Sequence, residues 1–129
     1  MIRYQIEKQL SPEEFIDVLV RSTLGERRPI QDTNRIATML KNASLIITAR
    51  DEDKLVGVAR SITDFAYCTY LSDLAVDEAY QHKGIGKKLI EETKAATSMA
   101  KLILLSAPKA VEYYPKVGMK RFENCYTLD

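Results

Sequence analysis

The chain has little from which to build a metal centre. It carries one histidine and two cysteines in 129 residues, and Cys68 and Cys125 lie far apart with no C-x-x-C, so no zinc-ligand set can be assembled from spacing. Both cysteines stand in strand-like sequence, which predicts two packed, reduced thiols and a cytoplasmic setting rather than a disulfide. An excess of either charge is also missing. Nineteen Lys and Arg against eighteen Asp and Glu leave a formal net charge of +1, which disfavours a dedicated nucleic-acid binder while allowing a local basic pocket. No apolar run is long enough to cross a bilayer, and "MIRYQIEKQL" lacks the basic-then-apolar organisation of a signal peptide. Repeats, low-complexity tracts and linkers are absent too, so one domain over residues 1–129 is expected. A chain of this size buries roughly two-thirds of its unfolded surface and needs no covalent staple to fold.

What is present reads as alternating strands and helices. "IRYQIEK" alternates as a strand does. "SPEEFIDVLVRSTLG" carries helix punctuation: Ser11 at the N-cap, Pro12 at the first helical position, Glu14 completing a capping box, and Gly25 near the stop. Its predicted apolar stripe is Phe15, Ile16, Leu19 and Val20. A second helix runs from Asp32 or Thr33 to about Ala43, with Ile36, Met39 and Leu40 on one face. "SLIITAR" and "KLVGVARSIT", separated by "DED", read as a hairpin, and "AYCTYLSDLAV" as the next strand. Residues from about Lys83 to Ala100 form a third helix with Ile85, Leu89, Ala96 and Ala100 on one face. "KLILLSA" reads as a strand covered on both faces, Pro108 opens a short helix ending at Gly118, and "MKRFENCYTL" reads as a closing strand. The order β-α-α-β-β-β-α-β-α-β implies an α/β fold with a mixed sheet: antiparallel early, then a strand–helix–strand crossover.

The stretch "QHKGIGKKLI" opens the third helix against the usual electrostatics. A helix N-terminus leaves main-chain N–H groups unpaired and carries partial positive charge, yet His82, Lys83, Lys87 and Lys88 stand where carboxylates would stabilise it. Lys87 with Glu91 and Lys88 with Glu92 offer i,i+4 pairs only in the weaker orientation. Gly84 and Gly86 permit close approach of a bulky group, and either can adopt positive φ without steric cost. Amides, glycines and ammonium groups together make a phosphate site. The alternative is a tight turn with solvated lysines. A dinucleotide fingerprint is excluded because its third glycine would fall on Leu89, and a P-loop because one residue, not four, separates the glycines.

"DLAVDEAYQHKGIGKKLI" resembles the acetyl-CoA signature of the GNAT N-acetyltransferases, Q/R-x-x-G-x-G/A after a strand ending in "LAV"; Gln81, Gly84 and Gly86 match its core. "AVEYYPKVGM" resembles the family's later A-x-x-F-Y-x-x-x-G-F segment, with Met119 in place of the usual aromatic. The resemblance implies the GNAT acyl-CoA N-acyltransferase fold and acetyl transfer from acetyl-CoA to a primary amine by direct attack on the thioester. It implies that the diphosphate rests on the loop Gln81, His82, Lys83, Gly84, Ile85, Gly86 and Lys87. It further implies that Leu74, Ala75 and Val76 offer main-chain contacts to the pantetheine arm, with the strand near 102–106 splayed away, and that an N–H near Leu74 polarises the acetyl carbonyl. Tyr114 takes the position of the proton donor to the departing thiolate, and Pro115 after it is expected to bend the helix.

By strict alternation Tyr70, Ser72 and Leu74 share one face and Asp73 the other. Relatives with a base on this strand carry it at the position of Tyr70 or Ser72, neither of which is basic here; Asp73 is the carboxylate at hand, and its parity sets it on the other face. A water relay, or an amine arriving partly deprotonated, is the expected route. The acceptor, a small-molecule or peptide amine, would lie along "TLGERRPIQDTNR", where Arg27, Arg28 and Arg35 either read an acidic acceptor or are plain surface charges. A module that binds acetyl-CoA without turning it over remains the alternative, and monomer and homodimer both stay open.

Overall fold

The computed structural model describes residues 1–129. Strand β1 (Ile2–Ile6) is followed by helices α1 (Pro12–Arg21) and α2 (Thr33–Lys41) and by strands β2 (Leu45–Asp51), β3 (Lys54–Thr63) and β4 (Cys68–Val76). Helix α3 (Ile85–Ala96), strand β5 (Lys101–Ile103) and the single-turn helix α4 (Tyr113–Lys116) complete the order. The sheet runs β1-β2-β3-β4-β5, antiparallel through β4 and parallel between β4 and β5. The parallel step is the one joined through α3, as a crossover requires.

Two apolar clusters cover the sheet. Phe15, Val18, Leu19, Ile36 and Leu40 of α1 and α2 pack with Ile46, Val58 and Ala75. Ile85, Leu89 and Ile90 of α3 pack with Ile47, Ala49, Val56, Ala59 and Leu71. Gly57 lets α3 sit low on the sheet, because a Cβ there would lie 3.1 Å from Leu89 and 3.2 Å from Ile85.

Several expectations are corrected. On α1 the buried face holds Val18, while Val20 is 54% exposed; the helix turns Phe15, Val18, Leu19 and Ser22 inward, a stripe at i, i+3, i+4 and i+7. On α3, Ile90 and Thr93 are buried and Ala96 is exposed, since the helix ends at Ala96 over a shallow opening beside Gln5, Ile6 and Ile47. Strand β5 is three residues long, with Lys101 and Ile103 exposed and Leu102 partly covered, so only its α3 side is packed. The closing strand does not form: residues 119–129 carry no strand and are exposed but for Met119, which is partly covered. The apolar residues Met119, Phe122, Cys125, Tyr126 and Leu128 do not alternate as a half-buried strand would, and the neighbouring strand β5 is only three residues long. Both cysteines are free and exposed rather than packed.

Helix α1 keeps half of its predicted cap. The Glu14 N–H donates to Ser11 Oγ at 3.2 Å, but the Glu14 carboxylate accepts from Arg50. Arg50 also donates to both Glu7 oxygens and to the Asp53 carbonyl, tying the end of β1, the start of α1 and the β2–β3 turn to one guanidinium. The hydrogen bonds from Arg50 outweigh burial and hold the Glu7 carboxyl down at about 2, against roughly 4.3 for a free glutamate. A depressed carboxyl stabilises the fold above its unfolded pKa and loses that contribution as pH falls through the folded value. Urea unfolding is therefore expected to show stability declining between about pH 5 and pH 2. Glu7→Gln should lower stability at pH 7 by about 1–3 kcal/mol and flatten that decline.

Candidate active site

Strand β5 pairs with β4 only at Cys68, Thr69 and Tyr70. Beyond Tyr70 the edge of β4 has no strand beside it. The Asp77 N–H donates to the Val56 carbonyl on β3 at 2.8 Å, which sets the phase of the ladder. Alternation then turns the main-chain groups of Val76 and Leu74 to the open edge and those of Ala75 toward Val58, its partner on β3. Of the three residues expected to offer main-chain contacts, Leu74 and Val76 thus turn their groups to the open edge and Ala75 does not. The Val76 carbonyl also accepts from Gln81 Nε2 at 3.2 Å, folding the loop back on the strand that precedes it.

The loop leaves β4 through a brace. Asp77 Oδ1 accepts from the Ala79 N–H at 2.9 Å and caps the short turn Glu78–Tyr80. Its other oxygen pairs with Arg21, whose guanidinium also donates to the Leu55 carbonyl. Burial opposes ionisation of Asp77, but the Ala79 N–H and Arg21 outweigh it and hold the carboxyl below its ordinary value. Tyr80 donates to Asp51 Oδ2 at 2.6 Å, and the ammonium groups of Lys54 and Lys83 lie 5.4 and 5.7 Å from its ring centre.

The turn into α3 uses left-handed backbone at His82 (φ 64°) and Gly84 (φ 80°), an alternation of the kind that forms main-chain anion nests. Gly84 is the N-cap and no side chain caps the helix. The N–H groups of His82, Lys83, Gly84, Ile85, Gly86 and Lys87 find no main-chain acceptor, and no side chain accepts from them. Lys88 approaches Glu92 at 3.9 Å, whereas His82, Lys83 and Lys87 have no carboxylate within salt-bridge distance; the predicted Lys87–Glu91 pair is absent. Donors without acceptors beside cations without anions fit a diphosphate.

Tyr114 packs on the α3 side with Leu74 and Val76, and burial, helped by Tyr113, pushes its phenol above the ordinary value. Pro115 does not break α4, because it falls in the first turn, where an N–H would lack a partner anyway. Gly118 (φ 93°) closes the helix: its N–H donates to the Pro115 carbonyl and that of Met119 to the Tyr114 carbonyl, at 3.2 and 3.1 Å, a Schellman closure. Tyr113 stands edge-on to Tyr114, ring centres 5.2 Å apart, and its hydroxyl lies 2.7 Å from where a Gly86 Cβ would stand.

The other side of β4 corrects the parity argument. Arg60 pairs with Asp73 and Ser61 with Leu71, so Ser72 is an extra, bulged residue. The bulge brings Ser72 and Asp73 to one guanidinium: Arg60 pairs with Asp73 and donates to Ser72 Oγ at 3.1 Å. Arg28 pairs with the remaining Asp73 oxygen and donates to the Ser72 carbonyl at 2.7 Å. With both oxygens engaged and no exposure, Asp73 is a structural tie, not a base. Arg28 is consumed by that tie, while Arg27 and Arg35 are exposed. Arg60 went unnoticed in the sequence, although a charged residue inside "VGVARSIT" already demands a buried partner.

The chain matches the acetyltransferase (GNAT) domain family over residues 9–126. It belongs to the GNAT acetyltransferase family. A histone acetyltransferase TAP1 of Glycine max is 28% identical over 108 residues, covering 73% of this chain and 46% of that protein. The uncharacterized N-acetyltransferase ycf52 of Pyropia yezoensis is 29% identical over 100 residues, covering 71% of this chain and 55% of that one. The chain therefore spans about half the length of these curated relatives. Among solved structures, a GNAT-family acetyltransferase from Streptococcus pneumoniae TIGR4 superposes with a TM-score of 0.83 at 22% identity, over 100% of this chain and 96% of the other. A probable acetyltransferase from methicillin-resistant Staphylococcus aureus gives 0.80 at 20% identity over both whole chains. These likenesses establish the GNAT fold.

Asp73→Ala, which strands two guanidinium groups, is expected to cost about 3–5 kcal/mol in urea unfolding. Replacing Asp73 and Arg60 together by apolar residues should cost less than the single change.

Proposed function

We propose that the chain is an acetyl-CoA-dependent N-acetyltransferase whose acceptor is a primary amine. The observation that carries this reading is the row of N–H groups from His82 to Lys87 without acceptors, set at the end of a strand edge left open by β5. In this reading His82, Lys83, Gly84, Ile85, Gly86 and Lys87 hold the coenzyme's diphosphate by main-chain N–H groups, and Gln81 fixes the loop to Val76. Leu74 and Val76 pair with the pantetheine arm as a neighbouring strand would. The Leu74 N–H faces the acetyl oxygen and stabilises the charge that develops there.

Acetyl-CoA supplies an activated acyl group. The amine nitrogen bonds to the thioester carbon, the carbon–sulfur bond breaks, and the sulfur takes a proton from the Tyr114 hydroxyl. The tyrosinate is reprotonated, through water, by the proton that the nitrogen gives up after attack. Tyr114 has a proton to give, since burial only raises a phenol that already ionises near 10, and its hydroxyl can pass that proton to the departing thiolate within a hydrogen bond. No side chain is assigned as the base: Asp73 is tied to Arg28 and Arg60, so an incoming ammonium loses its first proton to water or the amine arrives already neutral.

Two measurements test the reading. Acetyl-CoA at a hundred times its Kd should stabilise the fold by about 2.7 kcal/mol in a thermal shift experiment, and no response would end the proposal. In an amine screen that monitors free thiol, Tyr114→Phe should lower kcat about a hundredfold with little change in coenzyme affinity. Coenzyme binding without thiol release from any amine would favour a binding module instead.

A further inference from the structure

Gly86 is a helical glycine with no conformational need to be one. Gly84 and Gly118 are the glycines at positive φ, and in the first turn of α3 an alanine would be preferred. What a Cβ would meet is a neighbour: the Tyr113 hydroxyl stands 2.7 Å from the place it would occupy and would have to move aside.

The surroundings of that hydroxyl are one-sided. The N–H groups of residues 82–87 are donors without acceptors, and the ammonium group of Lys87 has no acidic partner. Tyr113 makes no hydrogen bond of its own, although its ring is held by Tyr114 and it is 36% exposed. No group of the protein accepts the phenolic proton. Burial raises the phenol's pKa, so it is a donor throughout the neutral range.

We propose that Tyr113 is a coenzyme-positioning residue, its hydroxyl donating to an oxygen of the diphosphate held by the first turn of α3, and that Gly86 is glycine to make room for it. This rests on the coenzyme reading above. An anion placed over Gly86 supplies the acceptor that the amides and the hydroxyl both lack.

The test is a calorimetric titration of coenzyme A into the wild-type chain and into Tyr113→Phe, Gly86→Ala and the double variant, with thermal unfolding of each in the absence of ligand. Tyr113→Phe should bind coenzyme A about tenfold more weakly with an unchanged ligand-free Tm. Gly86→Ala, which displaces the hydroxyl, should lose a similar factor when Tyr113 is present and little more in the Tyr113→Phe background. Inorganic pyrophosphate should be weakened by Tyr113→Phe in parallel. Wild-type affinity in Tyr113→Phe, or an equal Gly86→Ala loss in both backgrounds, overturns the inference while leaving the coenzyme reading intact. Failure of the wild-type chain to bind coenzyme A removes both.

Discussion

The arrangement depends on β5 leaving β4 after three paired residues. An unpaired strand edge is costly to bury and prone to adventitious pairing, so the divergence must be held open by something. Leu104, Tyr114, Val117 and Met119, which follow β5 in the chain, pack against the α3-side cluster instead of extending the ladder. The open-edge groups of Leu74 and Val76 then lead to the uncapped turn at Gly84. Strand edge and helix terminus have donors of the same kind left over, and the proposed coenzyme reading rests on both.

The other side of the cleft is held by arginine. Arg28 and Arg60 meet on Asp73, Arg21 on Asp77, and Arg50 on Glu7 and Glu14. Each joins elements remote in sequence where the apolar clusters do not reach. Their pairing explains how a chain with a net charge of +1 can present a cationic loop. Asp73, Asp77, Glu7 and Glu14 are tied to arginine, and Lys83 and Lys87 are among the cations without acidic partners. Net charge describes the molecule, and the site is described by which charges are left over.

How much was legible before folding follows from how local each cause is. Ser11 and Pro12 start α1, Asp32 caps α2, and the β2–β3 hairpin turns at "DED", all from interactions within a few residues. The uncapped, glycine-flanked turn of α3 was legible for the same reason: its anomaly is a matter of neighbouring charges. The length of β5, three residues rather than all of "KLILLSA", and the absence of the expected final strand were not, because how far a strand runs depends on the edge that accepts it, and "MKRFENCYTL" carries no alternation strong enough to require one.

The order of elements up to α4, the anion-seeking turn and the family resemblance are therefore properties of the chain read residue by residue, since capping, periodicity and charge placement act at short range. Which groups remain free is a property of the folded molecule alone. The bulge at Ser72 moves Asp73 beside Arg60, Arg28 is drawn into that tie instead of facing an acceptor, and Tyr113 comes to rest on Gly86 from a much later turn of the chain. Those outcomes depend on register and on contacts between residues far apart in the chain, where one inserted residue in a strand reverses every side chain beyond it.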